Sequence, residues 1–537
     1  MKAKLLFFIL FISTVNFAQE DAWVYFKDKP NASFYFANPL EMLSQRALDR
    51  RTTQRIELDV IDVPVEQTYI DQVTSSTGIT VMAKSKWLNA LHIRGTLLNI
   101  ESLTSLAFVD YIDYANHSLN PGGRVSNSNR ISNVNKQLEL AVTFNYGNSA
   151  NQIEMLNGHL LHQQNYTGQN KMIAILDAGF PGVNSASSFQ RLRDNNLILG
   201  GYNFPDRNTN IYTRNGHGTN VLSTMGGFVD GQLVGTAPDS EYYLFITEDV
   251  NSENPVEESY WVEAAEMADS LGVDVINTSL GYTDYDNANY SYSYAQRNGL
   301  VGFASRGADI AFTRGIVCVI SAGNSGSESE PHMGIPGDAK NVLTVGAVTS
   351  TEAYAVFSSI GPSTDGRIKP DVCAKGQTAT VSNTSGGITT SNGTSFSSPI
   401  LAGMVATFWS AVPNLTATQV IDFVRKSADQ YTSPDQFKGY GVPDFQLALY
   451  NATSTQVTIS TDFIVYPNPV KDILYLKLPT GISRGEFVVF NSLGQKVMHQ
   501  QIFQNEKKVE VTFLSSGVYM FEFSANSTIL QGKIMKE

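Results

Sequence analysis

The stretch SNGTSFSSPILAG, Ser391–Gly403, sets a glycine and a cluster of hydroxyl residues ahead of an apolar run. Read for structure it is a helix start, because Thr and Ser hydroxyls satisfy free backbone amides and proline is accepted in a first turn. Phe396, Ile400, Met404 and Phe408 follow at intervals of four, which is one face of a helix that will bury. Read for chemistry, the same turn raises Ser395. A serine so placed is a nucleophile only where the chain also supplies a base, a carboxylate to orient it and a donor for the oxyanion.

Outward from this stretch, residues 138–453 alternate apolar runs with helical periodicity. KMIAILDAGF, EYYLFITED, GVDVINTSL, GIVCVISAGN and NVLTVGAV are unbroken apolar runs, while VEESYWVEAAEMADSL and SSPILAGMVATFWSAV carry the helical spacing. Strands that do not alternate are buried on both faces, so this region is predicted as α/β, a parallel sheet with helices on both sides. In such a sheet ligands and reactive groups collect at the carboxyl ends of the strands. Asp177 stands at one such end. His217 lies in NGHGTNVLSTMGG between two glycines at a helix start, where an imidazole takes up protons near neutral pH. Asn324, in the glycine-flanked turn of VISAGNSG, offers an amide NH2 to a developing oxyanion. Each also has a plain structural reading: a turn-capping aspartate, a turn histidine, a left-handed turn asparagine.

Chain order discriminates among hydrolases. Asp177, His217, Ser395 runs Asp…His…Ser, unlike the Ser…Asp…His of α/β-hydrolases or the His…Asp…Ser of chymotrypsin-like folds, and GTSFS lacks the second glycine of a G-x-S-x-G elbow. AILDAGF, NGHGTNVLSTMGG, SAGNSG and NGTSFSSPILAG are similar to the Asp, His, oxyanion-Asn and Ser motifs of the subtilisin-like serine peptidases, in that family's order over some three hundred residues. VGTAP, INTSLGY, GIPGDAKNVLTVGAV, IKPDVCAKG and GYGVPDFQLAL agree.

The resemblance implies a serine endopeptidase with Ser395 as nucleophile, His217 as general base and acid, Asp177 holding the imidazole, and Asn324 with the Ser395 amide binding the oxyanion. It implies that Ser279, Leu280 and Gly281 pair with the substrate backbone and that Gly323 and Gly334 line the substrate pocket. Gly334 in MGIPG leaves that pocket open, and Ser325 adds no charge, so a large apolar P1 residue is expected. No cofactor is needed for this chemistry. The family's calcium sites are not carried over, because DAGFPGVN lacks the acidic surround of its first motif and YTDYDNANYSYSYAQRNG is an unusual Tyr- and Asn-rich insert; structural calcium stays open, with no ligands assigned. HLLH, His159 to His162, has no carboxylate or cysteine cluster beside it to make a metal site. The rival reading from another class is an inactive subtilase fold serving as a surface adhesin or binding protein, which intact Asp177, His217, Asn324 and Ser395 oppose.

The flanks extend the picture. MKAKLLFFILFISTVNFAQE has two lysines, an apolar run from Leu5 to Ile12 and Ala18 before Gln19, which reads as a signal peptide, residues 1–18. Residues 19–137 read as βαββαβ: RIELDVIDV, VEQTYIDQVTSST, GITVMAKS, NALHIRGT, LLNIESLTSLAFV and DYIDYA, a small ferredoxin-like α+β module, closed by the linker NHSLNPGGRVSNSNRISNVNK with Arg124 and Arg130. It fits the inhibitory propeptide of such peptidases, whose last strand lies in the active site, with the linker as processing region. Residues 454–537 turn to alternating strands, ILYLKL, EFVVF, KVEVTF and GVYMFEF, a small all-β sandwich. VYPNPVKDILYL, VFNSLGQKV, LSSGVYMFEF and the basic end KIMKE resemble the sorting domain of the type IX secretion system of Bacteroidetes. That implies passage through the periplasm, then a secreted or surface location, with protein substrates, the chain's own propeptide and the secretion machinery as partners.

Composition excludes other classes. Fifty acidic residues against 37 basic give a formal charge of −13, with no Lys/Arg stripe for nucleic acid. No stretch after the leader reaches the roughly 18 apolar residues of a membrane span. The two cysteines, Cys318 and Cys373, each sit in a strand-like run and are expected to be buried free thiols.

Overall fold

The computed structural model describes residues 19–120, 144–454, 464–478, 484–491, 495–503, 508–525 and 528–537. The expected signal peptide and most of the linker, with Arg124 and Arg130, fall outside them; the module's expected last strand, DYIDYA, is described, pairs with Ala22–Phe26, and contributes no residue to the lining of the cleft that holds Ser395. The chain divides into two compact units, residues 1–449 and 450–537.

In the first unit, strands β1 (Gln19–Phe26), β2 (Ile79–Ser85), β3 (Ala90–Thr96) and β4 (Val109–Tyr114) form an antiparallel sheet in the order β2-β3-β1-β4, the ferredoxin-like order. The expected βαββαβ succession holds, but its first strand does not. Arg55–Val63 is a turn-rich link between the helices Gln45–Gln54 and Gln67–Thr74, and the strand is Gln19–Phe26 instead. The alternation of RIELDVIDV reads as a strand, but no strand forms there. Asp62 in fact turns inward, fully buried, to accept from Arg51 at 2.8 Å, while Lys29 Nζ donates to the carbonyls of Val60, Val63 and Lys86 at 2.7, 2.6 and 2.6 Å. These charges, rather than strand pairing, hold the segment.

The larger sheet contains β5 (Met172–Asp177), β6 (Ile198–Asn203), β9 (Glu241–Ile246), β10 (Val275–Thr278), β11 (Val317–Ser321), β12 (Leu343–Val348) and β13 (Val372–Lys375). The hairpin β7 (Phe228–Val229) and β8 (Leu233–Val234) lies between β6 and β9 in sequence. All seven strands are parallel, in the order β13-β12-β11-β10-β5-β9-β6. β10 to β13 are wholly buried, which is why their sequences cannot alternate. Alternate residues Ala174, Leu176, Ile276, Cys318 and Ile320 pack with Trp261, Ala265, Phe303 and Ala308 of the helices Val256–Leu271 and Phe303–Thr313. The helix Thr394–Ala411 lies against β10 to β13 and is buried nearly all round, Phe396, Ile400, Met404 and Phe408 included. From β5 the chain first builds outward through β6 and β9, then crosses to β10 on the other side. That reversal puts a crevice at the carboxyl end of β5.

Cys318 on β11 and Cys373 on β13 are free and buried. With β12 between them and an offset of about four residues along the strands, they stand about 16 Å apart, beyond the roughly 7 Å a disulfide spans. The second unit is an antiparallel three-stranded and an antiparallel four-stranded sheet around Leu474, Phe487, Val489, Ile502, Val509 and Phe523. Beyond the strands legible in sequence it has Ile464–Tyr466, Lys496–Phe503 and Thr528–Lys536.

Candidate active site

Asp177 ends β5 at the crevice, its side chain without solvent exposure. Its Oδ1 accepts from the Ala178 amide at 2.7 Å and lies 2.8 Å from His217 Nδ1. His217 opens the helix His217–Gly226, and the next residue must be small: a Cβ on Gly218 would meet the Gly179 carbonyl oxygen at 2.6 Å and the Asp177 Cβ at 3.0 Å. The His217 amide donates to Asn215 Oδ1 at 2.9 Å, which fixes the helix start. With a carboxylate on Nδ1, that nitrogen carries the proton and Nε2 is left with its lone pair. Burial works to lower the imidazole pKa, but the Asp177 charge and hydrogen bond outweigh it and hold it above its ordinary value.

Ser395 is the second residue of the helix Thr394–Ala411. Pro399 sits in the second turn rather than the first, so it removes the amide that would bond the Ser395 carbonyl. Ser279, just past β10, supplies the missing donor: its Oγ reaches Ser395 O at 3.0 Å, and Ser395 Oγ in turn donates to Ser279 O at 3.4 Å. Asn324 follows β11 through Gly323, whose φ of +103° favours glycine. Asn324 Oδ1 accepts from the Thr394 amide and hydroxyl at 2.9 and 3.0 Å, so its NH2 is turned away from Thr394. The structure thus gathers Asp177, His217, Asn324 and Ser395 on the carboxyl ends of β5 and β11 and on two helix starts.

Ser279, Leu280, Gly281, Gly323 and Gly334 line one cleft of 410 Å³ with Asn324 and Ser395. Gly334 is required locally, since a Cβ there would lie 2.5 Å from Thr283 Oγ1. Sequence reasoning missed Asp284, Glu328, Glu330 and Arg297 on the same lining; no spacing marks them. It also missed Glu248, two residues past β9, which accepts from the Tyr282 hydroxyl at 2.6 Å, and Glu258, which accepts from the Tyr285 and Tyr292 hydroxyls at 2.7 Å each. Buried glutamates therefore organise the tyrosine-rich insert. His162 engages the Tyr146 hydroxyl at 2.9 Å and the Thr236 carbonyl at 3.1 Å, a structural role. Among the described residues no group of three or more His, Cys, Asp or Glu side chains could hold a metal ion, and no helix is long and apolar enough to cross a membrane.

A parallel seven-stranded sheet with these groups at its carboxyl edge defines a hydrolase-type α/β site. Residues 157–441 match the model of the Subtilase family, residues 21–134 that of the Peptidase S8 propeptide domain of Bacteroidota, and residues 464–537 that of the Secretion system C-terminal sorting domain. Subtilisin DY of Bacillus licheniformis is 32% identical over 270 residues, covering 50% of this chain and 87% of the relative. Subtilisin of Bacillus pumilus is 30% identical over 299 residues, covering 55% and 97%. The solved structure of the MycP3 protease from the type VII (ESX-3) secretion system aligns at 22% identity and a TM-score of 0.44, over 58% of this chain and 93% of that one. The chain belongs to the subtilase family and is a subtilisin-like serine peptidase with a propeptide; its sorting domain implies secretion to the cell surface or the extracellular space.

Proposed function

We propose that this precursor is a zymogen of a secreted serine endopeptidase in which Ser395 Oγ attacks the scissile carbonyl. His217 Nε2 takes the serine proton and later gives it to the leaving amine, while Asp177 holds the tautomer and stabilises the imidazolium. The Asn324 NH2 and the Ser395 amide at the helix start bind the oxyanion, and Ser279–Gly281 pairs with the substrate backbone as an added strand. The observation that carries this reading is the 2.8 Å contact of His217 Nδ1 with the buried Asp177 carboxylate. No step calls for a cofactor, and no calcium site is assigned. We place the leader at residues 1–18, the propeptide and linker at 19–137, the peptidase at 138–453 and the sorting domain at 454–537. Export runs through the periplasm and the type IX machinery.

Matured protein should cleave casein and be labelled by a fluorophosphonate probe at Ser395. Folded, matured protein that does neither is the inactive adhesin. For P1 we keep the large apolar residue, with Thr283 Oγ1 rather than open space beside Gly334. Asp284, Glu328 and Glu330 on the lining supply the contrary chemistry, so a peptide library that ranks Lys or Arg first at P1 overturns that preference.

A further inference from the structure

The helix Val256–Leu271 ends in the wrong charge. Its last turn carries Asp269 and no basic residue, although the carbonyl end of a helix favours cations. Asp269 has no solvent exposure, and the cations it meets come from the N-terminal module. Arg51 Nη2 reaches its two carboxylate oxygens at 3.0 and 2.9 Å, and Arg50 Nη2 donates to Oδ1 as well. The same module supplies donors to the carbonyls that finish the helix. The Ser44 amide donates to Ser270 O at 2.8 Å, Arg46 Nε to Gly272 O at 3.2 Å, and Arg50 to the carbonyls of Asp269 and Val273. Arg46 also bonds Asp274 at 2.8 Å, and Gln54 bridges the Gly315 carbonyl and the Ala417 amide at 2.7 and 2.9 Å. On the far side, Arg314 of the peptidase region reaches Asp59 and Asp62 of the module at 3.1 and 3.4 Å.

These contacts lie at the entrances of β10 and β11, whereas Ser279 and Asn324 lie at their exits. They are therefore made at the opposite edge of the sheet from the cleft. They come from the two-helix segment between β1 and the helix Gln67–Thr74, which a bare βαββαβ fold does not need.

We propose that Asp269, Asp274 and the carbonyl end of the helix Val256–Leu271 form a second docking surface for the propeptide, specific for the arginine-bearing helix Gln45–Gln54. By it the cut propeptide stays bound after the linker is severed. A buried pair with one partner removed leaves an uncompensated charge. Departure of the module would uncover Asp269 at a helix end that repels it, and the surface disfavours that departure independently of anything in the cleft. The proposal rests on the propeptide match and not on the chemistry assigned to Ser395.

The test uses the full chain with Ser395→Ala, so that no activity enters, and with a site for a sequence-specific protease placed between residues 121 and 143. After nicking, the two parts should co-elute in gel filtration. The Arg50→Met/Arg51→Met pair should raise their Kd about 10²- to 10³-fold, and Asp269→Asn about tenfold or more. Parts that separate on nicking without any substitution, or a Kd unchanged within about threefold in both variants, overturn the proposal. If the arginine variant does not fold, Asp269→Asn decides alone, because it leaves the module's own Arg51–Asp62 pair in place.

Discussion

The peptidase sheet and the face on which the N-terminal module sits are built from opposite materials. The helix Thr394–Ala411 runs along β10 to β13 with an apolar surround, Ile400, Met404 and Phe408 fully buried and Phe408 set between Phe423 and Phe445. Under the module, hydrophobic packing of Trp23 against Phe303 is laced with buried polar groups. Glu266 accepts from Ser85 Oγ and the Lys86 and Trp87 amides at 2.6, 3.0 and 2.9 Å, and Ser259 Oγ takes both Trp23 Nε1 and a ring nitrogen of His92 at 2.8 Å. Apolar burial is gained from any well-fitting surface. Buried charge stabilises only with its own partner present and is costly to leave half-made. The first material suits a body that stays whole, the second a contact that must be specific and must one day end.

The largest effect lies on neither material but in the site at the carboxyl edge of the sheet. Ser395→Ala should lower kcat about 10⁶-fold, a magnitude taken over from subtilisin rather than derived for this chain. Asp177→Asn should lower it about 10⁴-fold. The acid limb of kcat/KM, set by a His217 that Asp177 holds above its ordinary value, should move to lower pH in that variant. An acid limb that stays put would show that Asp177 does not govern the imidazole.

Next comes the contrast itself, read by denaturation of the Ser395→Ala precursor. Phe408→Ala should cost about 3–5 kcal/mol. Glu266→Gln should cost about 1.5–3 kcal/mol, because its amide nitrogen must face a donor. Equal losses from the two would erase the distinction.

The smallest effect is in pH. Burial raises the pKa of both Glu248 and Glu257; the Glu253 and Asp177 charges add to the first, and the Glu248 charge adds to the second. The folded protein thus keeps protons that the unfolded chain releases from the ordinary value of 4.5 upward, and stability falls as pH rises from there to the raised values. Glu257→Gln should flatten that decline in a Tm-versus-pH series; an unchanged slope would assign the decline elsewhere.

Sequence legibility followed the same division. Strands β5 and β9 to β12 were readable because burial on both faces forbids alternation, and Asp177, His217 and Ser395 because their order is peculiar to one architecture. Arg55–Val63 was misread because periodicity carries no sign of a charge turned inward, and the partner of Arg51 stands 218 residues away at Asp269. The tyrosine insert looked like an anomalous loop for the same reason. Its anchors, Glu248 and Glu258, precede it by 34 and 27 residues in the pairs with Tyr282 and Tyr285.

Pro399 has a consequence for how the chain tolerates change. Because it has no amide hydrogen, the Ser395 carbonyl depends on the hydroxyl of a residue 116 positions away, Ser279. Positions 279 and 399 are thereby tied. A residue with a free amide at 399 would complete the helix from within and release Ser279 from that duty, while loss of the Ser279 hydroxyl is tolerable only after such an exchange. Randomising both positions together should return a hydroxyl at 279 wherever proline is retained at 399.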